Sequence, residues 1–308
     1  MIDIVIVNWN SGNHIVSCIE SIKRFGDGLV ANVIVIDNGS IDGSDRSVEK
    51  FEGIQLIRAG ENLGFGKACN LGAKQDRSKY LLFLNPDAEL GADTLKNVVY
   101  FMEEAANSDV GICGVQLLDE AGLVARSCAR FPSVPGFAAH STGLEKIFPR
   151  FGHRMSEWDH DSNRHVDQVI GAFFFVRRSV FEKLGGFDER FFVYFEEVDF
   201  SYRASVEGWS SFFLGAAKAH HTGGGTSNQV KAKRLFYSLR SRILYSFKHF
   251  SFLSASSVLF MTLFFEPLSR SLLAIIRRSW AALKETWCGY GMLWSWLSKL
   301  IFSRGARR

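Results

Sequence analysis

Residues 33–44, VIVIDNGSIDGS, decide the fold: four β-branched residues in a row end at Asp37, and a Gly/Ser/Asp turn follows at once. A short apolar run without alternation is a strand buried on both faces, as in parallel sheets covered by helices. The turn puts Asp37 at the end of that strand, where a ligand can approach the backbone closely. Equally, Ser40 or Asp42 in this turn can cap a following helix.

Outward from this stretch the same unit recurs. Residues 2–7 are apolar and β-branched apart from Asp3 and end at Asn8, and Ile15, Cys18, Ile19, Ile22 and Phe25 follow at helical spacing. Residues 54–57 and 80–84 are further apolar runs, the second ending at Asn85-Pro86-Asp87. Strands alternating with amphipathic helices over residues 1–115 predict an α/β domain with a mainly parallel sheet flanked by helices. In open sheets of this kind ligands bind beyond the carboxyl ends of the strands, so Asn8, Asp37 and Asp87 are expected in one crevice. Residues 116–167 lose the pattern and read as a long irregular connection. Order returns with a strand over 169–176, a helix over 179–184, a Gly-Gly-Phe-Asp turn and a helix over about 196–207.

Composition divides the chain. The whole has 308 residues and a formal charge of +4, but residues 231–308 hold 14 Lys/Arg against Glu266 and Glu285, a net +12, while residues 1–230 carry −8. That predicts a catalytic domain over 1–230, with halves 1–115 and 116–230, and a basic helical extension over 231–308. The extension is also rich in Phe, Leu and Trp, and a segment both cationic and apolar suits an anionic lipid surface better than nucleic acid; the alternative is that its helices cover the catalytic domain or form an oligomer interface. Leu235, Phe236, Leu239, Ile243 and Phe247 share one helical face within it. The longest apolar run, residues 252–265, is about 14 residues and falls short of the 18–20 needed to span a bilayer, which favours a helix lying in the interface, with a span distorted by its neighbours as the alternative. Five scattered cysteines without a C-x-x-C pair argue against a disulfide framework and a cysteine zinc site. The opening residues read directly as a strand with no export signal, which points to the cytoplasm.

Three further segments could carry chemistry. ENLGFGKACNLG, residues 61–72, offers Gly64, Gly66 and Lys67 at the start of a helix, where free N–H groups suit a phosphate; it is neither a Walker A loop nor a Rossmann fingerprint. Asp87, straight after a buried strand, is placed to hold a divalent cation against a pyrophosphate, or to make a Pro-Asp turn. RFFVYFEEVDFSYR, residues 190–203, sets Glu196, Glu197 and Asp199 behind an aromatic cluster, where desolvation raises a carboxyl pKa toward a base's working range, or else where an acidic first turn simply suits the helix dipole. AHHTGGGT adds His220 and His221.

Read together, NWNS, VIDNGSIDGS, ENLGFGKACNLG, FLNPDAEL, GAFFFVRR, FDERFFVYFEEVDFSYR and AHHTGGGT resemble, in order and spacing, the inverting family-2 glycosyltransferases of GT-A fold, rhamnosyltransferase-like branch, over roughly residues 2–250. The resemblance implies that Asp37 contacts the nucleotide base with Asn8 and Asn10 in the same pocket, and that Asn62, Gly64, Lys67 and Asn70 lie near nucleotide and phosphates. It implies Asp87, beside Asn85 where the family's Asp-x-Asp motif has its first aspartate, and His220 as holders of Mg2+ or Mn2+ and pyrophosphate. Glu197 falls on the general base, with Glu196 and Asp199 as rivals, and GAFFFVRR lies under the acceptor. The implied donor is dTDP-L-rhamnose or a UDP-sugar and the implied acceptor a lipid-linked glycan, with the protein peripheral on the inner membrane, binding no nucleic acid and open to self-association. A nucleotidyltransferase and a non-catalytic sugar-nucleotide-binding or scaffold protein are the competing readings.

Overall fold

The computed structural model describes residues 1–305 except 27, 147, 149, 151, 153, 154, 156 and 224–229. The chain divides into two compact units: 1–131, 154–192 and 196–226 form the first, and 132–153, 193–195 and 227–308 the second. A single cut at 230 therefore misses two earlier segments, which a reading by composition has no means to assign to the basic region.

The first unit is built on strands β1 (Ile2–Asn8), β2 (Val30–Asp37), β3 (Ile54–Arg58), β4 (Tyr80–Leu84), β5 (Ala88–Leu90), β6 (Val110–Leu118), β7 (Val124–Ala125), β8 (Cys128–Ala129), β9 (Arg164–Val166), β10 (Gln168–Val169), β11 (Phe173–Arg177) and β12 (Ser210–His221). The main sheet runs β3-β2-β1-β4-β11-β6-β12-β5, with β7 on β6 and β9 on β12, while β8 and β10 pair separately. Strands β3, β2, β1 and β4 are parallel, as is β12 to β6; β11 runs antiparallel to both β4 and β6.

Side chains of β1 alternate between two cores. Ile2, Ile4 and Ile6 join the helix His14–Phe25 through Ile15, Cys18, Ile19 and Ile22, and Val5 and Val7 join the helix Phe65–Ala73 on the other face. Asp3 interrupts this apolar run fully buried. It accepts from Arg178 Nη2 at 2.6 Å, Ser78 N at 2.9 Å and Asn32 Nδ2 at 2.8 Å, so the charge stays ionised and below the usual carboxylate range although burial opposes it.

Two expectations change here. Residues 116–167 are not one irregular connection: β6 runs into them to Leu118, β7 to β9 follow, and Ser133 caps the helix Val134–Thr142 through Gly136 N. GAFFFVRR, expected under the acceptor, is mostly a central strand of the sheet. Phe173–Val176 are buried mid-sheet between β4 and β6, and Arg177 and Arg178 spend their guanidinium groups on backbone carbonyls and Asp3. An antiparallel strand inserted among parallel ones carries no signature of its own in the sequence.

In the second unit, Leu239 and Ile243 of the helix Lys231–His249 pack with Tyr290 and Leu293 of the helix Trp280–Gly305, whereas Phe247, expected on the same face, is exposed. Residues 252–276 form one helix of 25 residues, longer than the apolar run because it continues through Glu266 and Pro267; its length and composition would suffice to cross a membrane.

Candidate active site

The carboxyl ends of β2, β1 and β4 are adjacent in the sheet, and polar residues cluster there. Asn8, opposite Asp37 in register, donates through Nδ2 to Asp37 Oδ1 and Ser44 Oγ, each at 2.9 Å, and accepts from Ser11 Oγ. Asp37 Oδ2 accepts from Ser40 N at 3.2 Å, and Asn10 Oδ1 from Ile41 N at 2.8 Å. Asn8 is fully buried, so it positions Asp37 rather than lining a pocket itself. Asn10 adopts a left-handed backbone that asparagine tolerates well.

Asn38, which the sequence reading passed over, ties this turn to the next. Its Nδ2 donates to Asn62 Oδ1 at 3.0 Å and its Oδ1 accepts from Leu63 N at 2.8 Å, while Asn62 Oδ1 also accepts from Gly64 N. The side chain following a strand-ending Asp was the available signal, since Asn there bonds neighbouring backbone readily. Gly64 has φ +86°, and a Cβ on it would lie 2.4 Å from the Phe192 carbonyl oxygen. That same oxygen accepts from Phe65 N at 2.7 Å, so the start of the helix Phe65–Ala73 is seated against residue 192. Lys67 is exposed on this helix. Asn70, expected near the phosphates, is buried and clasps Phe187, with Nδ2 on the carbonyl at 2.8 Å and Oδ1 taking the N–H at 2.9 Å. The Gly-Gly-Phe-Asp turn needs an internal partner, and a short amide on the buried side of this helix provides it.

The acidic triplet opens the helix Glu196–Val206, and its members separate. Asp199 is fully buried and bonded to Arg203 Nε at 2.8 Å, and Arg203 in turn donates to the Leu184 and Gly186 carbonyls. Asp199 is thus a structural anchor and no rival for the base, because an i,i+4 arginine neutralises it. Glu196 is 4% exposed, with its Cβ 3.4 Å from where a Cβ on Gly66 would stand. Glu197 is half-buried, and its Oε2 has no hydrogen-bond partner among the described residues. Burial pushes the Glu197 carboxyl above the usual glutamate range, against the pull of the N–H groups of Glu197 and Val198. Both glutamates lie close enough to the buried Cys69 to reinforce the upward push of burial on that thiol, which puts the starts of the two helices side by side.

At the end of β4, Asp87 Oδ1 lies 3.2 Å from His221 Nε2, and Asn85 Nδ2 lies 3.5 Å from the same nitrogen. Burial opposes ionisation of Asp87, but the bond and charge of His221, its own N–H and nearby His14 hold the carboxyl below its usual range. The imidazole is His221, not His220. Successive residues of β12 face opposite sides, Ala217 and Ala219 inward with His221, and Lys218 and His220 outward into solvent. The small-apolar alternation around Lys218 was the signal that separates the two histidines. The glycines at 224 and 225 lie outside the described residues. Asn85 N donates to the Ala172 carbonyl, and Gly171 would carry a Cβ 3.7 Å from Phe65, so the Asp87 turn and the start of the Phe65–Ala73 helix meet a common strand end.

Residues 3–185 match the family model described as glycosyl transferase family 2. The chain belongs to that family. This glycosyltransferase is 29% identical over 255 residues to the N-acetylglucosaminyl-diphospho-decaprenol L-rhamnosyltransferase of Mycobacterium tuberculosis, covering 75% of this chain and 81% of that one. To rhamnosyltransferase WbbL of Escherichia coli it is 26% identical over 254 residues, 80% and 92% of the two chains. In structure it is similar to mannosyltransferase PcManGT from Pyrobaculum calidifontis, solved with GDP-Man and Mn2+, with a TM-score of 0.56 at 14% identity over 99% of this chain and 79% of that one. Staphylococcus aureus TarS 1-349 with UDP-GlcNAc gives 0.55 at 15% identity, over 92% and 79%. At such identities the likeness speaks to fold alone: the mixed, mostly parallel sheet is GT-A-like. The enzyme class leaves the nucleotidyltransferase and scaffold readings without support.

Asp87 and His221 are a carboxylate and an imidazole whose chemistry fits a divalent cation. Among the described residues no group of three or more His, Cys, Asp or Glu side chains stands ready to hold one alone.

Proposed function

We propose that this glycosyltransferase inverts configuration as it moves L-rhamnose from dTDP-L-rhamnose onto a lipid-linked glycan, with Glu197 as base. The observation that carries the reading is Glu197 itself: a half-buried carboxyl with a raised pKa and one unpartnered oxygen at a helix start. Glu197 takes the proton of the acceptor hydroxyl as that oxygen bonds to the anomeric carbon, and the bond from that carbon to the diphosphate breaks on the opposite side. Asp37 receives the base, Asn8 and Ser40 hold Asp37 in place, and Gly64 allows the helix start to approach the phosphates. Asp87 and His221 would hold Mg2+ or Mn2+, which neutralises charge on the departing diphosphate. The rhamnosyl donor and lipid-linked acceptor are supported by the names of the two relatives described above.

The test is release of nucleoside diphosphate from a panel of dTDP-, UDP- and GDP-sugars, with and without Mg2+ or Mn2+. Release from dTDP-L-rhamnose above all others, dependent on metal and on a lipid diphosphate sugar acceptor, is expected. A Glu197→Gln protein should fall by about 10²–10⁴-fold. Turnover at the parental rate in that protein would remove Glu197 from the base role.

A further inference from the structure

The helix Phe252–Ile276 has a division of faces that its composition alone does not explain. Its middle, Met261–Phe265, is a π-helical turn, which offsets part of the drift of residues four apart around an α-helix. Val258, Thr262, Glu266 and Ala274 form a row no more than 5% exposed, packed within the second unit. Two positions round the helix, Phe260, Phe264, Leu268, Leu272 and Ile276 form a second row, 53–68% exposed. Phe252 and Leu253 extend the apolar row at one end. At the other, the exposed Arg277 and Arg278 have no ion pair among the described residues, and Trp280 beside them is exposed as well.

We infer that this exposed row is a bilayer-docking face, with the helix lying in the plane of an anionic membrane interface. Three observations favour this occupant. An apolar row from Phe260 to Ile276 that ends beside exposed arginines and a tryptophan matches acyl chains beneath charged headgroups. The net +12 of residues 231–308 attracts anionic lipid and repels a second copy of the same surface. Glu266, fifteenth of the 25 residues, is buried with Arg242 and with Arg270 at 2.8 Å, and these arginines hold its carboxyl at about 2 although burial works against ionisation. A transmembrane placement would put this charged cluster at mid-depth, whereas an in-plane helix keeps it on the side away from lipid. The inference deepens the reading of a lipid-linked acceptor but is measured independently of it.

Flotation of the full-length protein with vesicles of phosphatidylglycerol and phosphatidylcholine tests it. Binding to anionic vesicles, weakened in 0.5 M salt, is expected, with loss of about tenfold or more for Leu268→Glu/Leu272→Glu and a weaker, salt-like loss for Arg277→Gln/Arg278→Gln. Nucleoside diphosphate release with a detergent-dispersed acceptor should be unchanged in both, which also shows that they fold. Phe252→Cys and Arg278→Cys, each in Cys288→Ser protein, should both react with an impermeant maleimide from the side of addition. Parental flotation of the Leu268→Glu/Leu272→Glu protein, absence of wild-type flotation, or a change in that variant's oligomeric state with flotation unchanged would overturn the proposal. Labelling at one end only would replace the in-plane helix by a spanning one.

Discussion

A carboxylate at the start of a helix is ordinarily kept ionised, because the N-terminal N–H groups and the dipole favour negative charge. At Glu197 burial outweighs the N–H groups it meets and pushes the carboxyl upward. A carboxyl whose folded pKa is raised stabilises the fold only below the ordinary glutamate pKa, and that contribution is lost as pH rises through the folded value. Glu197→Gln should therefore melt at or above the wild-type temperature at pH 7.5, with a difference that shrinks toward pH 4 while turnover stays depressed throughout; thermal melts across that range read it directly. The two histidines allow a second single-residue comparison. His221→Ala should lower nucleoside diphosphate release roughly 10–100-fold and raise the metal concentration needed for half-maximal rate. His220→Ala, whose side chain points to solvent, should stay within about twofold. Asp199 shows how far sequence alone can separate such neighbours. Three acids within four positions look alike in a string of letters, and only the arginine one turn later tells which of them is already neutralised.

Among elements, the helix Phe65–Ala73 depends on one position without a side chain. Alanine at Gly64 would force both a left-handed backbone and a Cβ 2.4 Å from the Phe192 oxygen. Gly64→Ala should cost about 1–3 kcal/mol and reduce nucleoside diphosphate release, because the seat of the helix shifts. Gly60→Ala is the control: its φ is +79° but nothing stands within 4 Å of an added Cβ, so only the conformational cost of about 1–2 kcal/mol applies. Calorimetric melts of the pair, with donor titrations, measure both. The parallel half of the sheet was legible because β-branched runs, polar strand ends and helical spacing all agree over β1 to β4. The β11 insertion and the fragments of 116–167 were not, since short strands and antiparallel neighbours are specified by partners distant in sequence rather than by local pattern. The GAFFFVRR motif was visible as a motif, yet its arginines serve the backbone of the sheet.

At the scale of the molecule, charge and composition marked out the C-terminal region correctly as helical and basic, but they could not show that residues 132–153 and 193–195 pack with it. Those assignments rest on individual contacts within the second unit: Ser241 Oγ on the Val193 carbonyl at 3.0 Å, the Phe195 ring 5.5 Å from that of Tyr245, and Ser141 Oγ 3.5 Å from Glu266. Tyr194 and Phe195 both adopt left-handed backbone conformations, uncommon for bulky residues and sustained only where surroundings enforce them. The next two residues in the chain are Glu196 and Glu197. It follows that residues 227–308 are no detachable cassette. Recombining this region between relatives would strand the tripeptide ahead of the glutamates unless 132–153 and 193–195 were exchanged with it.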